Sequence, residues 1–129
     1  MSANWKPENY NTVSVYIMAE RAQRLIDFLK RAFDGVNLRR FDAPDGRIMH
    51  AEVRISDTVV MISDANATYP AFPVWLHIYV PDVDATYKKA LAAGGISVQE
   101  PTRKEGDPDR RGGVKDPCGN TWWISTQMQ

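Results

Sequence analysis

Two short stretches place chemically capable residues at strand spacing. In HAEVR, His50, Glu52 and Arg54 alternate with Ala51, Val53 and Ile55, so an extended strand sends the three polar side chains to one face. A histidine and a carboxylate two residues apart on one face can pass a proton or bind a metal ion. The same alternation also describes a half-buried strand whose charged face simply meets water. In VWLHIYV, Trp75, His77 and Tyr79 alternate with Val74, Leu76, Ile78 and Val80. The aliphatic row calls for a helix above it. The other row, three rings with polar handles, fits a ligand cleft, a second core layer or a dimer interface.

Other candidate motifs carry less. GDPDRRGG (Gly106 to Gly113) matches neither phosphate-loop pattern and reads as a mobile loop of mixed charge that could cover a cleft. In DPCGNTWW, Asp116-Pro117 opens a turn and Gly119-Asn120 suits positive φ. Cys118 has no neighbour in sequence that would activate a thiol. As the only cysteine it excludes an internal disulfide and any Cys-rich zinc cluster. Alternation sends Trp122 toward a helix-packed layer and Trp123 to the opposite face.

The elements that must position these residues come in a repeated order. Thr12 to Met18 alternates as a strand. From Glu20, Ala22, Leu25, Ile26, Leu29, Ala32 and Phe33 recur at helical spacing up to Asp34-Gly35, whose glycine suits a left-handed helix end. Val36 to Asp42, Arg47 to Ser56 and Thr58 to Asp64 read as strands. Residues 65–73, with two prolines, read as a linker. The order then recurs: a strand over 74–80, a helical stripe of Val83, Tyr87, Ala90 and Leu91 ending at Gly94-Gly95, and strands in ISVQEP, RGGVKD and TWWIST. A duplication of about 60 residues accounts for this order, although ferredoxin-like folds also interleave helices and strands.

With 129 residues, 43% of them apolar, the chain has the size and composition of one globular domain. Sixteen basic residues offset sixteen acidic ones, so no net field favours a nucleic acid or an anionic membrane. No apolar run reaches the roughly 20 residues of a membrane span, and MSANWKPENYN has no signal-peptide core, so a cytoplasmic protein is expected.

RLIDFLKRAFDG, LHIYVPDVDATYKKALAAGG and GGVKDPCGNTWWIST, with RISDTVVMISD between them, resemble the vicinal oxygen chelate superfamily of glyoxalase, bleomycin-resistance and extradiol dioxygenase proteins. The PhnB-like branch is the nearest in pattern. The resemblance implies an α+β fold of two βαβββ modules, about 12–64 and 74–126 of a single 1–129 domain, that form a curved mixed sheet with a cleft, completed in a homodimer. Metal-dependent members hold a cation with two His and two Glu. Here Thr12, Met61, Trp75 and Trp123 stand at the matching positions; a two-residue shift would put His77 in place of Trp75 but would bring no carboxylate to the other strands. These residue types do not make a divalent-cation site.

The expected protein is therefore a small-molecule binder without a cofactor, its cleft lined by Tyr16, His50, Glu52, Met61, Trp75, His77, Tyr79 and Trp123. The alternative is a lyase, isomerase or dioxygenase with a displaced divalent-metal site at His50, Glu52 and His77.

Overall fold

The computed structural model describes residues 5–128; residues 1–4 of the lead-in, and residue 129, lie outside them. Ten elements follow one another: β1 (Val15–Ala19), α1 (Gln23–Phe33), β2 (Val36–Asp42), β3 (Ile48–Ile55), β4 (Thr58–Asp64), β5 (Trp75–Tyr79), α2 (Val83–Ala92), β6 (Ile96–Arg103), β7 (Asp109–Lys115) and β8 (Thr121–Gln127). They build two mixed sheets of four strands, ordered β1-β4-β3-β2 and β5-β8-β7-β6. In each sheet the first strand runs parallel to the last and the remaining pairs are antiparallel. The element order is thus a duplicated βαβββ unit. No helix among the described residues is long and apolar enough to cross a membrane.

Strand alternation and helical periodicity meet in one core. Ile17 and Ala19 of β1, Ala51 and Val53 of β3, Val60 and Ile62 of β4, and Leu25, Phe28 and Leu29 of α1 are buried together with Val83, Tyr87 and Ala90 of α2 and Val114, Trp122 and Ile124 of the second sheet. The helices touch, and Phe33 at the end of α1 lies 4.9 Å from the ring of Trp122 on β8. Each sheet therefore spends its helix-side face on a shared core. Its other face points away from that core, because successive side chains on a strand alternate sides.

Matching glycines let both helices come close to their sheets. A Cβ on Gly35 would stand 2.6 Å from Val53 Cγ1; one on Gly95 would stand 2.3 Å from Val114 Cγ1 and 2.8 Å from the carbonyl oxygen of Ala90. The left-handed helix end expected at Gly35 is formed instead by Asp34, at φ 56°, and Gly35 is needed for close approach. In the second module Gly94 takes the positive φ, at 106°.

Three further boundaries differ from the sequence expectation. The first strand begins at Val15 and not at Thr12, and Val13 is exposed. The first helix begins at Gln23 and not at Glu20, because Arg21 turns at φ 51° and Asp64 Oδ1 accepts from the amide of Ala22 at 2.7 Å. The segment read as a mobile loop from Gly106 becomes β7 at Asp109, whose amide donates to Asp107 Oδ1 at 2.9 Å. Helical and alternating residue patterns carry no signal for such side-chain-to-backbone fastenings.

The turn from Asp116 to Asn120 fastens β8. The buried Asp116 carboxylate accepts from the amides of Cys118 and Asn120, at 2.8 and 3.0 Å, and from Trp122 Nε1 at 2.9 Å. Asn120 Oδ1 accepts from the Val74 amide at 3.1 Å and so ties the turn to the start of β5. Burial and the Asp116 charge push the Cys118 thiol up, which favours its protonated form.

Replacing Gly95 with alanine should cost about 1–3 kcal/mol and lower Tm by roughly 4–12 °C, because the added methyl meets a backbone carbonyl as well as a valine. Thermal denaturation followed by circular dichroism measures it; an unchanged Tm would show that α2 is free to lift off the sheet.

Candidate functional site

The outward face of the first sheet carries Tyr16 on β1, Met61 on β4, and His50 and Glu52 on β3. Cross-strand register places Tyr16 opposite Met61 and Met61 opposite Glu52. Tyr16 Oη lies 3.1 Å from His50 Nδ1, and His50 Nε2 lies 2.7 Å from Glu52 Oε2. Glu52 does not line an open cleft as expected: it is 1% exposed, covered by the Tyr10 hydroxyl, which donates to Oε1, and by the Arg39 guanidinium, which donates to both oxygens at 3.3 and 3.2 Å.

Burial raises the Glu52 carboxyl, but hydrogen bonds from Tyr10, His50 and Arg39, together with the Arg39 charge, outweigh it and hold the group below its ordinary value. The Tyr10 phenol is pushed up, chiefly by its bond to that carboxylate.

The outward face of the second sheet carries the aromatic row. Trp75 meets Trp123 edge-on at 5.4 Å, and His77 meets Tyr79 edge-on at 4.7 Å. His77 Nε2 is 3.0 Å from Ser125 Oγ, and Tyr79 Oη donates to Asp109 Oδ2 at 2.6 Å. Asp109 also accepts from Arg111 at 3.0 Å. Loss of water around the ring, and then the Arg111 charge, lower His77, which favours neutral imidazole. The Trp123 ring lies across Gly113, where a Cβ would sit 2.7 Å from it. Two buried polar atoms here, Trp123 Nε1 and Asp109 Oδ1, have no hydrogen-bond partner among the described residues.

The eight expected cleft residues thus form two separate groups. Among the described residues no hydrogen bond or ring contact joins them. A groove of about 940 Å³ takes in Trp75, His77 and Tyr79 beside Val15, Arg54 and Thr58, but not Tyr16, His50, Glu52 or Met61. No three His, Cys, Asp or Glu among the described residues stand close enough to share a metal, so His50, Glu52 and His77 do not converge in one chain.

The four positions matched to the family's metal ligands are not arranged as a metal site either. Thr12 precedes β1, and the register sets Tyr16 against Met61 and His77 against Trp123. A hydroxyl, a thioether and two indoles that can only donate do not fit a divalent cation, and His77 in place of Trp75 would add a single imidazole.

Sequence reading missed Tyr10, Arg39, Asp109 and Arg111. Arg39 falls in a β-bulge between Asn37 and Arg40, where alternation fails. Asp109 and Arg111 alternate with Arg110 in DRRGG, a pattern hidden by its resemblance to a loop. Asp109 adds a second acidic group to these faces.

The family model described as Glyoxalase/Bleomycin resistance protein/Dioxygenase superfamily matches residues 11–124. The chain belongs to that superfamily. An uncharacterized protein of Mycobacterium bovis, Mb0911c, is 34% identical over 142 aligned positions that cover 100% of this chain and 89% of that protein. Among solved structures, TioX from Micromonospora sp. ML1 is 26% identical with TM-score 0.72, covering 89% of this chain and 95% of that one. TnmS3, an antibiotic binding protein from Streptomyces sp. CB03234, shares the fold at TM-score 0.70 and 20% identity, over 88% of this chain and 93% of that one. The two modules of this superfamily member carry unlike faces, one charged and hydrogen-bonded, the other aromatic.

Glu52 makes stability depend on acid. Its folded value lies below the ordinary 4.5, so its contribution is complete above that pH and is lost as pH falls through the folded value. Glu52→Gln should therefore melt below wild type near neutrality, with the two Tm values converging under acid. Parallel curves down to low pH would contradict the hydrogen-bonded carboxylate.

Proposed function

We propose that this protein binds a flat, largely apolar small molecule in a cleft assembled between two copies of the chain, module one of one copy facing module two of the other. The observation that carries this is the row of exposed aromatics on the second sheet, Trp75 at 76% and Tyr79 at 63% exposure, set beside Trp123. Rings left in water at this cost need something to cover them.

The strands at the sheet edges support the two-copy arrangement. Among the described residues β1 and β5 each have a neighbour on one side only, and no ladder joins them. Pairing β1 of one copy with β5 of another would satisfy both edges. It would also bring Tyr16 and Met61 up to His77 and Trp123, since these lie on the edge strand and its immediate neighbour in each sheet.

Binding rather than metal-assisted catalysis follows from the residue types at the matched positions, which trade charged ligands for hydroxyl, thioether and indole. An antibiotic binding protein with the same fold agrees with that reading.

4-Nitroanisole, a flat nitroaromatic, should quench tryptophan fluorescence saturably, and Trp75→Ala should weaken the Kd by about tenfold. Trp75 is exposed, so its removal leaves the core intact. Sedimentation should show a dimer in both proteins. Unchanged affinity in Trp75→Ala would sink the cleft, and loss of the dimer in that variant would make the aromatic row an interface.

A further inference from the structure

On the module-one face one side chain hands on to the next: Tyr16 to His50 at 3.1 Å, His50 to Glu52 at 2.7 Å, and Glu52 to Arg39 and Tyr10 behind it. Its protonation pattern follows from elementary chemistry. An ionised carboxylate only accepts, so a neutral His50 must carry its proton on Nε2, facing Glu52. Nδ1 then holds a lone pair and accepts from the Tyr16 hydroxyl. Tyr16 Oη, its own proton directed inward, turns its lone pairs outward from a side chain 47% exposed.

Stability alone is a poor reason for this arrangement. Burying a carboxylate beneath an exposed arginine, a tyrosine and a histidine costs desolvation that an apolar side chain on β3 would avoid. The outermost bond, between Tyr16 and His50, lies at the surface, where a hydrogen bond adds little to folding. Phe41 stands 6.3 Å from the His50 ring and is 58% exposed, so it continues the surface of rings across β2.

We propose that Tyr16, His50 and Glu52 form a general-base relay, and that the ligand lying over module one is a flat molecule bearing an acidic hydroxyl on an unsaturated carbon, a phenol or an enol. The ligand O–H bond breaks and its proton forms a new O–H bond at Tyr16 Oη. The original Tyr16 proton moves to His50 Nδ1. The ligand is left as an oxyanion hydrogen-bonded to Tyr16, and the new imidazolium is held by the Glu52 carboxylate. One neutral ligand and one neutral imidazole become one anion and one cation, and no oxidant, metal or co-reactant enters. The Arg39 guanidinium keeps Glu52 charged throughout. Tyr16 touches the ligand; His50 and Glu52 act through it.

This relay rests on the cleft reading, and the test separates the two. The probe is 4-nitrophenol, whose phenolate is coloured, buffered about one unit below its pKa in water, where roughly a tenth is ionised. Bound to wild type, its phenolate fraction should rise about threefold or more. Tyr16→Phe, which keeps the ring, should still bind the probe but return the fraction to its value in water, and His50→Gln should do the same.

No rise with wild type, a rise that survives Tyr16→Phe, or no binding of 4-nitrophenol would each overturn the relay. If 4-nitroanisole, which has no hydroxyl, still quenches tryptophan fluorescence in that case, the cleft stands and the relay alone falls. If neither compound binds, both fall.

Discussion

A sheet has two faces, and here one core takes a face from each of two sheets. Helices α1 and α2 pack on one another and on both sheets, with Gly35 and Gly95 allowing the approach and Phe33 reaching Trp122 across the module boundary. That shared packing fixes everything outward of it. Once Ile17, Val53, Ile62, Val114 and Ile124 are committed inward, period-two alternation leaves Tyr16, His50, Glu52, Met61, His77 and Trp123 on surfaces that look away from the core. Two surfaces of unlike chemistry therefore stand outside the shared core.

The duplication makes the difference between the faces readable position by position. By register, Tyr16 of the first module corresponds to His77 of the second, Met61 to Trp123, and Glu52 to Gly113. Where the first module buries a carboxylate, the second has a glycine, and the Trp123 ring occupies the space. Equivalent backbones thus carry a hydrogen-bonded carboxylate on one side and aromatic contacts on the other. Trp123 Nε1 and Asp109 Oδ1 show that the aromatic side also holds a donor and an acceptor without a hydrogen-bond partner among the described residues.

Much of this was legible in the sequence, because strand alternation and helical spacing are direct consequences of backbone geometry. The split of Trp122 and Trp123 to opposite faces, the repeated element order and the aromatic row of β5 all follow from period alone. What period could not supply was contact between distant segments. Tyr10 reaches Glu52 from the lead-in, Arg39 reaches it from a bulge that breaks the alternation, and Asp64 caps α1 from the end of β4. The separation of the two faces was equally invisible, since it depends on how the helices pack and not on any one strand.

The central claim, that each cleft draws on two chains, is tested most directly by complementation. Met61→Arg should disable the module-one face and Trp75→Arg the module-two face, and each homodimer should fail to bind 4-nitroanisole. A heterodimer purified with two different tags would pair the intact module one of one chain with the intact module two of the other. It should bind 4-nitroanisole at half the wild-type stoichiometry and with wild-type affinity. No binding by the heterodimer would mean that both halves of the site come from the same chain, and would contradict the account.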